Sequence, residues 1–297
     1  MFKLNSNKPL DYQNKDIFVS LIMCCRIKGN ENSDLMNVLR NFVEKASSHE
    51  RMEILIKFDD DDDDAAKVFD ELKSLPVTVK YIVTPRGLGF ADLHKACMDL
   101  FTIADLNSEL FWGITDDMDL YTNEWDRIIY QTYKAAKIKT CTIRLGKMIK
   151  FHRISLAETP HKLDSFPVWS RGWLTSATIG YTTGCDIWTN MIEYLLFRDY
   201  GIDNRLKPKQ HISFRRRIHP VLDQYDSEKW FKYCVPVLEL METDNFKLLA
   251  EDTALAVAGK IKMSGKKRVN LYYGLRMKFK RWFSKSFKQE KRYLKKC

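Results

Sequence analysis

The chain has 297 residues, 45% apolar and 30% charged, a composition typical of a packed globular protein and unlike that of a disordered one. No run of about 18 apolar residues predicts a membrane-spanning helix, and the first residues lack the apolar centre of a signal peptide. The seven scattered cysteines form no metal-ligand pattern, and the net charge of +10 comes from residues 265–297, which carry +12 and leave −2 elsewhere.

Four short apolar runs predict buried β-strands, and each is followed by a segment with helical spacing. The strands are predicted at 16–25, 52–58, 77–83 and 110–114, and the helices at SDLMNVLRNFVEKA, AAKVFDELKSL, FADLHKACMDLFTIA and EWDRIIYQTYKAAK. This alternation predicts an α/β fold with a largely parallel sheet and helices on its faces. Ligands bind such sheets beyond the carboxyl ends of the strands, so the residues there are expected to share one cleft.

Two acidic clusters follow strands of this predicted sheet. FDDDDDD, residues 58–64, ends the second strand, and ITDDMD, residues 114–119, follows the fourth. Carboxylate oxygens suit Mg²⁺ or Mn²⁺, and Mg²⁺ typically takes one or two carboxylates together with substrate phosphates. Asp116, Asp117 and Asp119 are therefore a candidate metal site, although their spacing equally suits turn and cap residues before the next helix.

The six consecutive aspartates of the first cluster are not expected to act alike. Crowded acids between a strand and a helix can form a solvated loop or favour the helix N-terminus. Asp59 and Asp60 are predicted at the cleft because the strand ends there. Asp61 to Asp64 are expected to face solvent or to cap the helix.

The order of these features resembles the nucleotide-binding half of a GT-A glycosyltransferase of the broad family 2 kind. The motifs that carry the resemblance follow successive strands: MCCR, FDDDDD, TPRGLGFADLHKA and ITDDMDLYTNEWDRII. They cover residues 16–130 well and 160–220 loosely. The chain departs from the family pattern where Cys24–Cys25 replaces Pro-Thr and where Thr115-Asp116-Asp117 replaces Asp-x-Asp.

The resemblance implies a GT-A domain over residues 1–262, with a nucleotide-binding half at 16–140 and an acceptor half at 141–262. Asp60 would contact the base of a nucleotide sugar, and Asp116 would lie near the ribose. Asp117 would ligate Mn²⁺ or Mg²⁺ on the diphosphate. Further donor contacts are predicted at the strand ends, at Cys25, Arg26, Asp59 and Arg86.

The second half is predicted from weaker patterns. DIWTNMIEYLLFRDYG predicts a helix that begins at Asp186 and ends before Gly201, and KQHISFRRRIH predicts a late strand. In family 2 enzymes the base is often an Asp that opens such a helix, so the resemblance implies Asp186 as the base, with Asp203 as runner-up. It also implies His219 as a metal or phosphate contact. Asp186 could also be an N-cap, and His219 a loop residue.

Residues 159–184 are predicted as a long aromatic loop. Trp169, Trp173 and Tyr181 within it are candidates to stack on the sugar rings of an acceptor. Packing of these rings against one another is an equally good interpretation of the pattern.

Residues 263–297 are predicted as a basic amphipathic tail. On a helical wheel from Leu271, nine apolar residues fall on one side and nine basic residues on the other. Phe279, Trp282 and Phe283 would place their rings at the headgroup boundary of an anionic membrane. Packing of this helix on the domain is the alternative, and no motif supports nucleic-acid binding.

These patterns predict a metal-dependent glycosyltransferase that takes a nucleotide-sugar donor and a glycan or lipid-linked acceptor. The expected location is cytoplasmic, peripheral on the inner face of the membrane. Two rival interpretations are a nucleotidyltransferase of similar sheet architecture and a non-catalytic basic module that binds membrane or nucleic acid. The sequence leaves the donor sugar, the stereochemical outcome and the oligomeric state open.

Overall fold

The computed structural model describes residues 3–6, 18–29, 33–86, 93–136, 138–145, 166–177, 185–217 and 244–261. The strands are β1 (Lys3–Ser6), β2 (Val19–Cys25), β3 (Met52–Asp59), β4 (Thr78–Thr84), β5 (Leu110–Gly113), β6 (Met118–Leu120), β7 (Thr142–Ile143), β8 (Val168–Ser170), β9 (Arg205–Leu206) and β10 (Phe214–Arg216). The helices are α1 (Leu35–Glu44), α2 (Phe69–Ser74), α3 (Leu93–Ile103), α4 (Trp125–Ala135), α5 (Arg171–Ala177), α6 (Cys185–Tyr200) and α7 (Asp244–Lys260). No helix among these residues is long and apolar enough to cross a membrane.

The main sheet has eight strands in the order β1-β4-β3-β2-β5-β8-β7-β9. β2 pairs in parallel with β3 and β5, and β3 pairs in parallel with β4. β1 and β8 run antiparallel to their neighbours, and β6 and β10 form a separate antiparallel pair. β7 and β9 also pair in parallel. The predicted mixed, mainly parallel α/β sheet is confirmed, and its four adjacent parallel strands β2 to β5 are the four apolar runs of the sequence.

Two hydrophobic cores cover the two faces of the sheet, because successive strand residues point to opposite sides. On one face Trp112 of β5 packs with Phe42 of α1 and Trp125 of α4, with ring centroids 5.3 and 5.4 Å from Trp112. On the other face Phe111 lies in the core that α3, α5, α6 and α7 build, together with the buried Trp188. Both faces of the sheet are therefore covered by helices.

The prediction of a long loop over 159–184 is wrong for its described part, 166–177. That part holds β8 and α5, and β8 pairs with β5 and β7. A three-residue strand and a seven-residue helix are too short to show a period in the sequence. The aromatic side chains that indicated a loop are buried here.

A buried polar cluster lies at the amino end of the central strands. Glu53 of β3 is fully buried, and its Oε1 accepts hydrogen bonds from the Ser20 hydroxyl (2.6 Å) and the Asp105 N–H (2.8 Å). Lys80 Nζ lies 3.2 Å from its other oxygen. Burial raises the pKa of Glu53, and the Lys80 charge opposes that rise. The cluster ties β2, β3 and β4 to the turn before β5.

We predict that Glu53→Ala lowers the free energy of unfolding by about 2–4 kcal/mol. The substitution removes the acceptor of the buried Ser20 hydroxyl and Asp105 N–H, and it takes away the carboxylate that lies beside Lys80. Urea denaturation with an unchanged m-value measures the loss. Glu71→Ala is the matched control, since Glu71 is half exposed and pairs with Arg40 at the surface. It should cost less than about 0.5 kcal/mol. Equal losses in the two variants would contradict a stabilising role for the cluster.

Candidate active site

Asp116 and Asp117 occupy a tight turn directly after β5. The Ile114 N–H still bonds to β2, donating to the Ile22 carbonyl at 3.0 Å, and the Met118 N–H then donates to the Thr115 carbonyl at 3.2 Å. Asp116 and Asp117 are the two central residues of this turn, which aspartate favours. The end of a buried strand therefore presents two adjacent carboxylates at the carboxyl edge of the sheet.

The surroundings of Asp116 disfavour its charge. Burial raises the pKa of its carboxyl, the neighbouring Asp117 charge adds to the rise, and a hydrogen bond from Ser33 opposes it. Cys25 Sγ, at the end of β2, lies 3.6 Å from Asp116 Oδ2. Burial and the Asp116 charge raise the pKa of this thiol, so it stays protonated and acts as a donor. A bound cation would relieve the repulsion between the two carboxylates.

The oxygen donors at this turn fit a magnesium or manganese ion. Hard carboxylates suit these ions, and Mg²⁺ commonly binds one or two carboxylates plus substrate phosphates. Within the described ranges, no group of three or more His, Cys, Asp or Glu side chains is placed to hold a metal. A metal at Asp116 and Asp117 would therefore need oxygens from the substrate to complete its coordination.

The first acidic cluster, Asp59 to Asp64, is largely neutralised by the protein itself. Asp59 pairs with Lys57 and lies 3.1 Å from Arg26 Nη1, and Asp61 accepts two hydrogen bonds from the same guanidinium at 2.5 and 3.3 Å. The hydrogen bonds that Arg26 donates to Asp61 and Asp59 stabilise its protonated form and raise its pKa. Of the predicted donor contacts, Asp59 and Arg26 are thus engaged with each other.

Asp62 is buried, contrary to the expectation of a solvent-facing or capping residue. Its carboxylate accepts the N–H groups of Ile27 at 2.6 Å and Lys28 at 2.9 Å, in the segment after β2. It thereby fixes that segment against the end of β3. Asp63 and Asp64 agree better with the expectation, since each pairs at the surface with a lysine, Lys28 and Lys67 respectively.

Asp60 is exposed and forms no ion pair with the residues that the structure describes. Its N–H donates to the Thr84 carbonyl at 2.9 Å, which holds it beside the end of β4. Its Oδ1 accepts the Arg86 N–H at 3.3 Å, and its Oδ2 has no partner among the residues that the structure describes. The Arg86 guanidinium lies 3.7 Å from Asp61. Asp60 therefore presents a carboxylate oxygen beside the carboxyl ends of β3 and β4.

The direction of α6 places Asp186 towards the carboxyl edge of the sheet. Asn190 and Glu193 both bond to the guanidinium of Arg144, which follows β7, and Glu193 also bonds to Thr142 at the start of β7. The Thr142 N–H donates to the carbonyl of Asn204, which comes after the end of α6. The helix therefore runs antiparallel to β7, which has the direction of β5. Asp186 lies one turn, about 6 Å, beyond Asn190 towards the carboxyl edge. Its side chain is outside the described part of the chain.

Asp203, the second candidate base, lies at the opposite edge of the sheet from the acidic turn. It comes just before β9, which runs parallel to β7, so it stands at the amino end of the sheet. There it pairs with Arg205, with Asp203 Oδ2 and Arg205 Nη2 2.7 Å apart. The 16 residues of α6 span about 24 Å, and Asp203 follows the end of that helix whereas Asp186 lies at its start.

Trp169 and Trp173 serve the core and present no ring to an acceptor. Trp169 is 3% exposed, donates its Nε1–H to Thr189 at 3.0 Å, and packs against Gly113 at the end of β5. Trp173 is fully buried. The remaining predicted contacts lie outside the described residues, namely Tyr181, His219, Phe279, Trp282 and Phe283.

Two residues that bond to the acidic turn had no distinguishing signal in the sequence. Asp34 precedes α1, and its N–H donates to the Asp116 carbonyl at 3.1 Å. Arg217 follows β10 and donates its backbone N–H to the Asp117 carbonyl at 2.6 Å. Arg217 is one of three consecutive arginines, and no local pattern shows which of them turns towards the acidic turn.

No protein-family model and no curated protein matches the chain, whereas solved structures do. The mannosyltransferase PcManGT from Pyrobaculum calidifontis, in complex with GDP-Man and Mn²⁺, superposes with a TM-score of 0.52 at 12% identity, over 87% of this chain and 78% of that one. S. aureus TarS 1–349, in complex with UDP-GlcNAc, superposes with a TM-score of 0.50 at 11% identity, over 81% and 72%. At such identities the likeness concerns the fold, and it shows that this chain has the GT-A fold of glycosyltransferases.

Proposed function

We propose that the chain is a glycosyltransferase that moves a sugar from a nucleotide-sugar donor to an acceptor hydroxyl, with the help of a divalent metal. The observation that carries the proposal is the meeting of Asp60, Asp116 and Asp117 at one edge of a GT-A sheet. Their oxygens are acceptors and hard ligands, as a nucleotide diphosphate with its metal requires. The GT-A fold supports this interpretation over a non-catalytic basic module.

In this proposal the donor lies across the ends of β2, β3 and β5. Asp60 accepts a hydrogen bond from an N–H of the base, since its Oδ2 is open within the described ranges. Asp116 lies beside the ribose, held by Cys25 and Ser33. Arg26 is occupied by Asp59 and Asp61, so its part is to keep those two acids from repelling the diphosphate.

Asp117, assisted by Asp116, would hold Mn²⁺ or Mg²⁺ on the donor diphosphate. The bound ion supplies charge neutralisation for the leaving nucleoside diphosphate. The protein's own share is to keep the two carboxylates adjacent in the turn after β5. His219, two positions beyond Arg217, is proposed as a further contact, because Arg217 bonds to Asp117 through its backbone.

Asp186 is proposed as the base that takes the proton of the acceptor hydroxyl if the sugar is transferred with inversion. The direction of α6 supports this role, because it puts Asp186 at the cleft edge and Asp203 at the far one. Positioned carboxylates contribute about 10²–10⁴-fold to such proton transfers.

The acceptor and the cellular setting are proposed from the sequence. A glycan or lipid-linked acceptor, reached from the cytoplasmic face of a membrane, would agree with the basic amphipathic segment 271–296. Clusters of Lys and Arg beside interfacial aromatics bind anionic lipid surfaces. UDP-GlcNAc and GDP-Man, found in the structural neighbours, are the first donors to test.

The proposed activity predicts release of a nucleoside diphosphate from UDP-GlcNAc or GDP-Man in the presence of Mn²⁺. Asp117→Ala should lower this release at least about a hundredfold, since a metal contributes several kcal/mol at the leaving group. Asp63→Ala, which removes a surface carboxylate paired with Lys28, should leave it unchanged. Release of pyrophosphate would instead indicate a nucleotidyltransferase, and normal turnover by Asp117→Ala would exclude the metal role.

The open carboxylate of Asp60 predicts unequal roles within the aspartate run. Asp60→Ala should weaken binding of UDP or GDP about ten- to a hundredfold, the value of a hydrogen bond to a charged group. Asp64→Ala should change the dissociation constant less than about twofold, because surface ion pairs such as Asp64–Lys67 contribute little. Isothermal titration calorimetry compares the variants. Equal weakening in both would mean that the run acts through its total charge.

Replacement of Asp186 by asparagine separates proton transfer from the structural role of the side chain. Asp186 is the second residue of α6, and Asn has nearly the shape of Asp but is no base, so Asp186→Asn should keep the melting temperature and donor affinity. Transfer should fall by about 10²-fold or more. Asp203→Asn is the control and should transfer normally. Loss of transfer in Asp203→Asn alone would reverse the assignment.

A further inference from the structure

The Arg217 side chain joins two carboxylates that border the acidic turn. Its Nε lies 2.9 and 3.1 Å from the two oxygens of Asp119, and its Nη2 lies 2.6 Å from Asp119 Oδ1. Its Nη1 bonds to Asp34 Oδ2. All three guanidinium nitrogens are therefore engaged with carboxylates, in the fork geometry that arginine alone offers.

The backbones of the same residues hold the turn itself. The Asp34 N–H donates to the Asp116 carbonyl at 3.1 Å, and the Arg217 N–H donates to the Asp117 carbonyl at 2.6 Å. The Arg217–Asp34 ion pair then closes a ring of contacts around Asp116 and Asp117. Three segments distant in sequence meet here: the start of α1, the turn before β6 and the end of β10.

This ring is poorly suited to a role in global stability. The Arg217 side chain is 37% exposed, and ion pairs with such solvent access contribute little to the free energy of unfolding. Its hydrogen bonds to Asp119 and Asp34 do raise the pKa of Arg217, so the charge is permanent. Arg217 is thus a fixed cation beside the turn. Its own backbone and that of its partner Asp34 bond to the two central residues of the turn, so these contacts order the turn locally.

We propose that Arg217 is a positioning residue that holds the Asp116–Asp117 turn in its metal-binding geometry by clamping Asp34 and Asp119. The inference rests on the proposed function for its consequence in catalysis, whereas the clamp itself is a property of the fold. Since every guanidinium nitrogen is committed to a carboxylate, Arg217 acts through the turn and not by contact with the donor phosphates.

The clamp and simple electrostatics make opposite predictions for Arg217→Met. Removal of the cation leaves Asp34 and Asp119 uncompensated near the turn, so Coulomb's law alone predicts tighter Mn²⁺ binding. If the clamp orders the ligands, Mn²⁺ binding weakens despite the added negative charge. Electron paramagnetic resonance of free Mn²⁺, titrated into the full-length chain, decides the sign. We expect at least about fivefold weaker binding, and tighter binding would overturn the proposal.

Amide hydrogen exchange tests the clamp without any ligand. In Arg217→Met, peptides that contain residues 115–118 should exchange at least about tenfold faster, while the cores and the melting temperature stay as in the wild type. Arg217→Lys keeps the charge but not the forked guanidinium, so its exchange rate at residues 115–118 should fall between those of the wild type and Arg217→Met. Arg215→Met is the control, because Arg215 is exposed on β10 and should change neither measurement.

The outcomes separate this inference from the proposed function. If the wild type binds no Mn²⁺, the metal role fails, and faster exchange at 115–118 still decides in favour of the clamp. Unchanged exchange at 115–118 in Arg217→Met overturns the clamp, whatever the activity. Faster exchange throughout the molecule would also overturn it, because Arg217 would then be a general stabilising residue.

Discussion

Repulsion among carboxylates at one edge of the sheet is the constraint around which the site is built. The acids after β3 and β5 lie at the carboxyl ends of the two parallel strands that flank β2, so they share one edge of the sheet. Lys57 and Arg26 pair with Asp59 and Asp61, and two backbone N–H groups bond to Asp62. Asp60 and the turn after β5 lie outside this set of contacts.

This arrangement explains why a run of six aspartates need not be a metal site. A carboxylate already paired with Lys57 or Arg26 is a poor ligand for a metal. The buried Asp62 carboxylate already accepts two backbone N–H groups. The turn after β5 differs, because burial and like charge raise the pKa of Asp116. Two adjacent carboxylates, one of them in surroundings that disfavour its charge, thus lie at the turn where the proposed cation would bind.

The second half of the fold depends on the orientation of one helix, α6. Contacts of Glu193 with Thr142 of β7, and of Asn190 with Arg144 just after β7, set α6 antiparallel to the strands, which separates the two candidate bases of the sequence analysis. The helix starts towards the carboxyl edge with Asp186 and leaves Asp203 at the amino edge, paired with Arg205. Trp169 and Trp173 are buried beneath it and contribute to the core of this half.

The sequence by itself determined the four parallel strands, their helices and the place of both acidic clusters. These follow from hydrophobic spacing and turn residues, which act over a few neighbouring positions. Only the tertiary structure decided which acids are neutralised, that Asp62 is buried, that Trp169 and Trp173 belong to the core, and that Arg217 reaches Asp34. The last two residues lie 183 positions apart, and no local pattern encodes a contact between segments that meet only when the sheet is assembled.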